Sequence, residues 1–512
     1  MNNNNNIYIN DDKESISDFF KDSKILVTGA TGFLGKVLVE KLLRCCEDIE
    51  NIYILLRPKR GLETEQRLTE LLKNPIFNKL KETNPKALLK LQVVHGDISV
   101  PNMGLPKNEI ALLQENINFV IHSAATVSFS ESLSTAVNLN TIGTKRIVDL
   151  CLEMKNLKSL VYVSTAYSNP FRKTVNEEVY KQQYNYKSVI HLVNNFSEDD
   201  VNLLSKNIMG DHPNTYTCTK SLAEELILDH SEKIPCCIVR PSIITSAWRE
   251  PYEGWVDSYA GITGLFMECG RGTLRSVVCN PKCVMDLIPV DVVANTIIAA
   301  TWQTSLNRPE KMKVYNCTSG SINPIKCYQF QNYANDYFHV CPSKYVMLQP
   351  YFQFRRNEFI HSFYALFYHK LPAILFDMYM FLKYRKTGML RTGRKFWKAM
   401  DNIKYFTTKE WNFQTDNMEE LVRCVKNNKD CNKFDIDMRS SNGFYWEKYV
   451  QNYVMGIRLY LLKDDLKSLP KAKAKLIRLY WIQSFLKMIM MFLFLKSVYH
   501  FFLNFHIFTH TK

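Results

Sequence analysis

Three glycines at intervals of three, Gly29, Gly32 and Gly35, follow the apolar run Ile25-Leu26-Val27 and open the amphipathic stretch 36–44. That order reads as a buried strand, a tight turn and a helix. The first glycine permits the turn, and the second lets backbone approach a pyrophosphate. The third lets the helix pack close on the strand, and the helix N-terminus faces the anion. The chain holds only 18 glycines in 512 residues, so three in this setting argue for a built phosphate loop. Further strands are predicted at Asn51–Leu56, 91–94, 119–121, 159–164 and 236–239, with helices at 132–154 and 216–229. Strands alternating with helices predict an α/β fold with a doubly wound parallel sheet. Such sheets take ligands at the carboxyl ends of their strands. Arg57, Asp97, His122, Thr165 and Arg240 all stand at those ends.

The GxxGxxG spacing differs from GxGxxG and is the short-chain dehydrogenase variant of the Rossmann loop; Thr28, Thr31, Phe33 and Leu34 complete it. An NAD site usually offers an acid at the end of the second strand. Here stand Arg57, Lys59 and Arg60, with no acid before Glu63. Basic side chains there fit a 2′-phosphate, so NADPH is the expected cofactor. Solvated surface charge is the plainer reading of the same residues. Asp97 could frame the adenine, and Ala124 joins the cofactor-binding set from the end of the fourth strand.

Tyr216 and Lys220 fall on one helix face, one turn apart. A nearby ammonium is expected to lower the tyrosine pKa, so that the phenol trades protons near neutral pH. YxxxK recurs by accident in a chain with 27 Tyr; its place after the glycine loop and five strands gives it weight. A third hydroxyl would polarise a carbonyl; Thr165 is preferred and Ser164 is the alternative. The long gap to Tyr216 implies an insert at about 171–213 that could cap a substrate pocket. Cys218 points elsewhere on the helix and reads as packing; His122 reads as a hydrogen-bonded structural histidine. No metal cluster and no Ser/His/Asp arrangement is found, so no metal is expected.

At 59.8 kDa the chain exceeds one ordinary domain. Its 46% hydrophobic and 22% charged residues exclude a largely disordered polymer. The net charge of +15 calls for an anionic partner. Residues 1–22, with the Asn2 to Asn6 run, read as a disordered tail; 23–325 as the dinucleotide-binding domain; 326–465 as a smaller, mainly helical domain. Residues 466–512 read as a basic stretch and a hydrophobic membrane-anchoring segment. Within it, 482–508 is Phe-, Leu-, Met- and Ile-rich, interrupted by Lys487 and Lys496. A lysine at mid-bilayer costs about 2.5–3.5 kcal/mol, which leaves both spanning and interfacial placements open. The apolar stretch 359–382, punctuated by His361, His369, Lys370, Pro372 and Asp377, reads as a buried or membrane-resting helix pair. Fourteen scattered cysteines without a CxxC fit reduced thiols facing the cytosol.

These residues together resemble one family, the alcohol-forming fatty acyl-CoA reductases of the extended short-chain dehydrogenases. The resemblance runs from about Ser23 to the end. It rests on TGATGFLGKVLVEKLLR (28–44), YILLRPKRG (53–61), HSAATVSF (122–129), LNTIGT (139–144), VSTAYSNP (163–170), PNTYTCTKSLAE (213–224) and IVRPSII (238–244). It continues through EPYEGWVDSYAGITGL (250–265), DLIPVDVVAN (286–295) and GIRLYLLKDD (456–465). The resemblance implies a long-chain fatty acyl-CoA reduced by two successive hydride transfers from NADPH. The product is a primary alcohol, formed through an aldehyde, with CoA released. Carried over, Gly29, Gly32 and Gly35 hold the pyrophosphate and Arg57 the 2′-phosphate. Tyr216 and Lys220 run the proton chemistry, Thr165 fills the hydroxyl role, and Pro241 and Ser242 flank the nicotinamide. It also implies membrane attachment with the reductase domain in the cytosol, at the endoplasmic reticulum or the peroxisome. The sequence departs at Ser128 and Ser130, where the family often has Arg and Asp around Phe129. The final His-Thr-Lys is no peroxisomal address of the Ser-Lys-Leu type. A homodimer is left open, and no nucleic-acid partner is expected because no basic, aromatic-interleaved module is present.

The competing enzyme is an extended short-chain dehydrogenase acting on a sterol or nucleotide-sugar. It leaves 250–265 and 326–465 without a purpose. A non-catalytic NADP(H)-binding membrane scaffold is the non-enzyme alternative, and intact Tyr216 and Lys220 weigh against it.

Overall fold

A computed structural model describes residues 15–510 except 60, 307–309 and 386; side chains are not described at 392, 395 and 501–510. The Asn2 to Asn6 run, with all of 1–14, and Arg60 thus lie outside the described residues. The chain forms two compact units. Residues up to Val256, with Lys282–Lys326 and Asp401–Tyr449, make the first; Asp257–Pro281, Cys327–Met400 and the chain from Val450 make the second.

The first unit is built on seven parallel strands: β1 Lys24–Thr28, β2 Asn51–Leu56, β3 Leu91–His95, β4 Phe119–His122, β5 Ser159–Val163, β6 Cys236–Pro241 and β7 Val314–Cys317. Their order is β7-β6-β5-β4-β1-β2-β3. β4 to β7 are buried along their whole length, and in β4 to β6 this burial shows as continuous apolar runs rather than alternating ones. Helices α1 Phe33–Cys45, α2 Gly143–Leu152, α3 Thr215–Asp229 and α4 Val290–Leu306 supply the flanking layers. The strand order reverses between β1 and β4, so the glycine loop and the 122–126 loop meet at the switch point where doubly wound sheets bind ligands.

The parallel sheet and the helical C-terminal region agree with the fold expected from the sequence. Three details differ. β7 was not anticipated, because a four-residue strand carrying a buried Asn316 has no clear apolar period. The helix Ile16–Phe19 belongs to the domain: Ile16 and Phe20 are fully buried, and the Phe20 ring lies 5.1 Å from Phe119. The compact units also do not follow the expected boundaries at 325/326 and 465/466. Residues 401–449 return to the first unit, where Asn412–Phe413 pairs in parallel with Thr174–Val175 and the helix Asp416–Lys426 packs on β7.

The second unit has its own core, with the Phe266 ring about 5 Å from Phe330, Phe338 and Tyr453. Two further features project from it. One helical run, Glu358–Ala365, Leu366–Lys370 and Leu371–Tyr384, covers the stretch expected to be buried or membrane-resting; most of its apolar side chains are exposed, so burial is ruled out. The other is the 42-residue helix Leu469–His510. Within Leu466–His500 it is long and apolar enough to cross a membrane: an 18-residue stretch there has mean hydropathy 1.4 and is 6% buried in protein.

Candidate active site

The glycine loop is shaped for close approach. Gly29 adopts φ +78°, a left-handed conformation that favours glycine, and a Cβ there would sit 2.7 Å from Ser123 Oγ and 2.8 Å from the Ala124 nitrogen. A Cβ on Gly35 would sit 2.7 Å from Ala30 Cα, so α1 packs directly on the turn. Gly32 is the exposed N-cap of α1, and Thr31, Phe33 and Leu34 are half-buried beside it. Thr28 is different: its hydroxyl is fully buried, 2.7 Å from His122 Nδ1, and accepts the Ala124 N–H at 3.2 Å. Thr28 and Ala124 therefore lock the two loops together. His122 also contacts Thr144 Oγ1 at 3.0 Å, and burial, then the Lys220 charge, depress its pKa to about 3. It is a neutral structural histidine.

At the end of β2, Arg57 donates to Asp97 Oδ2 at 2.7 Å. Burial would raise the Asp97 pKa, but the Ser99 N–H and the Arg57 guanidinium hold it below its ordinary value. A second guanidinium stands here that sequence reasoning missed: Arg67 donates to the Arg57 carbonyl at 2.5 Å and to Thr31 Oγ1 at 3.1 Å. Burial and the neighbouring Arg57 charge both lower its pKa. Arg67 lies on the helix Thr64–Leu72, ten residues past Arg57, where no motif flags it. Two like charges beside the loop, with one carboxylate paired to Arg57 alone, would be relieved by an added phosphate. The loop and this basic pair fit a phosphorylated dinucleotide.

Across the switch point, the Tyr216 phenol lies beside the Thr165 side chain. Burial pushes its pKa up to about 12, against the opposing influence of Thr165. Ser164 does not compete for this place, because its hydroxyl donates to Glu224 Oε1 at 2.5 Å. Lys220 donates to the Val163 carbonyl at 2.7 Å, at the end of β5, and its Nζ lies 4.7 Å over the Tyr162 ring. Burial lowers its pKa to about 7, opposed by Glu224. The expected acidifying effect of Lys220 on the phenol is thus not what the geometry gives: Tyr216 is a firmly protonated donor. Cys218 is buried, with its thiol pushed up to about 12, and is packing. Pro241 ends β6, and Ser242, also buried, leaves its hydroxyl without a hydrogen-bond partner. Among the described residues, no group of three or more His, Cys, Asp or Glu could hold a metal ion.

A family model described as male sterility protein matches residues 27–297 through its NAD-binding part, and a second so described matches 368–464. Fatty acyl-CoA reductase 1 of Rattus norvegicus is 37% identical over 465 residues, covering 91% of this chain and 90% of that protein. The chain belongs to the fatty acyl-CoA reductase family. Fatty acyl-CoA reductase 2 of Homo sapiens is 35% identical over 465 residues, covering 91% of this chain and 90% of that protein. Among solved structures, the reductase domain of a nonribosomal peptide synthetase from Mycobacterium tuberculosis aligns with a TM-score of 0.59 at 19% identity. It covers 86% of this chain and 93% of that one, a likeness of fold. Membership makes the chain an oxidoreductase that uses a nicotinamide cofactor.

In this family member the segment after residue 400 also reaches the ring that packs on the tyrosine. The Phe129 ring lies 5.8 Å from Tyr216 and 5.7 Å from Phe406. Phe406 in turn meets Tyr167 edge-on at 5.3 Å. Tyr405 Oη and Trp411 Nε1 both donate to the Pro170 carbonyl, at 3.1 and 2.9 Å, and pin this wall in place. Sequence reasoning placed a cap in the 171–213 insert. The insert's own contribution is to seat the wall, through the Thr174–Val175 pairing and the cluster of Val175, Tyr180 and Phe413. Its two helices instead bury Tyr186, Val189 and Val201 in the main core.

Proposed function

We propose that the chain reduces long-chain fatty acyl-CoA to a primary fatty alcohol, through an aldehyde, with release of CoA and with NADPH as reductant. The observation that carries the mechanism is the neighbouring Thr165 and Tyr216 side chains across the switch point from the glycine loop, beside an aromatic wall. Bound at the loop in turn, two molecules of NADPH would each supply one hydride. Arg57 and Arg67 favour the 2′-phosphorylated form. The Thr165 and Tyr216 hydroxyls are placed to donate to the substrate's carbonyl oxygen and to stabilise the negative charge that grows there. Collapse of the first tetrahedral oxyanion expels the thiolate, a good leaving group, so no covalent enzyme intermediate is required. In the second reduction, Tyr216 gives its proton to the alkoxide; a phenol at about 12 is protonated at neutral pH and still more acidic than an alcohol. Lys220, poised near 7, is the group able to return a proton toward that phenol. Phe129 and Phe406 would exclude water from the aldehyde.

The test is to incubate the purified chain with NADPH or NADH and a ladder of acyl-CoA lengths, then measure alcohol by gas chromatography. Alcohol with NADPH, and much less with NADH, is expected; bound NADPH without alcohol at any length would end the proposal. Tyr216→Phe should lower turnover by about 10²–10⁴-fold while NADPH binding stays near the parent's. Retained turnover would reject the proton donor. The C-terminal helix is proposed to hold the protein on the endoplasmic reticulum or peroxisome, with the reductase site on the cytosolic side. The basic residues from Lys467 to Arg478 suit an anionic cytosolic leaflet.

A further inference from the structure

The helical run Glu358–Tyr384 has its polarity inside out. Its buried residues are Ala365, His369, Ala373 and Asp377, a single stripe spaced by four. Each polar member of that stripe has a protein partner. The Arg275 N–H donates to His369 Nε2 at 3.0 Å, and Asp377 accepts the N–H groups of Gly388, Met389 and Leu390 at 2.9–3.1 Å, capping the helix that follows. The outward faces carry the apolar bulk instead: Phe359 is 83% and Leu382 72% exposed, with Phe363, Leu375 and Met378 at half or more. A water-facing helix shows the reverse pattern. Small and polar residues toward protein, with large apolar ones outward, is the arrangement of a helix whose outer solvent is lipid.

We infer that this run is a second membrane contact, lying along the surface of a phospholipid leaflet with its apolar side chains among the acyl chains. Two observations name the bilayer as the occupant. The same compact unit carries the helix long and apolar enough to cross a membrane, so a leaflet is already at hand. Past Glu358 at its start, the exposed charges on and just beyond the run are basic: Lys370, Lys383, Arg385, Arg391, Arg394 and Lys398, matched to anionic headgroups. Lys370 and Pro372 at mid-run argue against a second crossing. Long lysine stems can instead reach up to the headgroups from an in-plane helix. The inference rests on the proposed membrane attachment and not on the reductase chemistry.

The test uses the full chain in vesicles of phosphatidylcholine and phosphatidylserine doped with a phosphatidylcholine bearing a diazirine in its acyl chain. After illumination and digestion, lipid adducts are mapped by mass spectrometry. Adducts on 359–382 as well as on 482–500 are expected. Adducts confined to 482–500 would overturn the inference while leaving the anchor intact, and so would copies of the chain cross-linked through 359–382 without lipid adducts. The triple variant Phe359→Ser, Phe363→Ser and Leu382→Ser should lose the 359–382 adducts and keep those of the tail, with unchanged circular dichroism. Persistence of the 359–382 adducts in that variant would equally refute the inserted face.

Discussion

Tyr216 and Lys220 share a helix face, but their surroundings give them opposite characters. Burial raises the phenol to about 12 and lowers the ammonium to about 7. The unfolded chain keeps Lys220 protonated up to about 10.5, whereas the folded chain gives up that proton near 7. The unfolded state therefore binds more protons between these values, and stability rises with pH across that window. The penalty of burying the ammonium is full below pH 7 and fades toward 10.5. Lys220→Met carries no such penalty at any pH. We expect the parent's melting midpoint, taken relative to the Lys220→Met variant's, to rise between about pH 7 and pH 10. A flat difference would show that the lysine is not held low. Thr165 and Ser164 make the same point without charge: adjacent hydroxyls face different partners, Tyr216 and Glu224, because successive residues leaving a strand point to opposite sides.

Arg240, at the end of β6, joins three elements. Its guanidinium donates to both oxygens of Glu224 on α3, at 2.8 and 2.7 Å, and to the carbonyls of Asn176 and Glu178 in the insert. The ion pair is fully buried. Arg240→Met would leave Glu224 charged and unpaired in the interior, which costs about 3–5 kcal/mol. Chemical denaturation should show the loss, and the insert should become the more readily proteolysed segment. The region 250–255 does similar work for the phosphate loop: Glu250 pairs with Lys41 and with Arg44 on α1, and the Trp255 ring stacks on Phe33 at 5.5 Å. The wall at 405–413 has a chemical consequence. Phe406→Ala would open the space beside Phe129 and Tyr216, so free aldehyde should rise from a trace to a share comparable with alcohol. Trapping with a hydrazine reagent during turnover would measure it. An unchanged aldehyde fraction would assign the seal elsewhere.

Over the whole molecule, the +15 charge is unevenly placed. No acidic residue follows Asp465, and eight Lys and Arg lie beyond it. This tail begins inside protein, with Ala472 and Leu476 buried, and continues as an exposed apolar helix. At about 1.5 Å per residue it is roughly twice as long as the 30 Å hydrocarbon core, so only part of it can be embedded. A chain ending at Trp481 keeps the packed turns and loses the apolar part. It should become extractable by alkaline carbonate, where the full chain resists, yet still float with anionic vesicles through 358–384. Loss of both behaviours would leave the tail as the sole attachment.

The apolar runs and the glycine spacing made the parallel sheet legible in one dimension, and the polar residues at strand ends and the helix spacing singled out Thr165, Tyr216 and Lys220 as candidates. Those signals are local: a strand, a turn and a helix each carry their own period. Arg67, Phe406 and Trp411 were not legible, because their meaning comes from neighbours distant in sequence and not from their own spacing. For the same reason β7 and the return of 401–449 to the first unit could not be read from the chain. Burial, likewise, is a property of the packed molecule. Tertiary packing alone raised the Tyr216 phenol's pKa, tied the Thr28 hydroxyl between two loops, and set the apolar side of 358–384 outward.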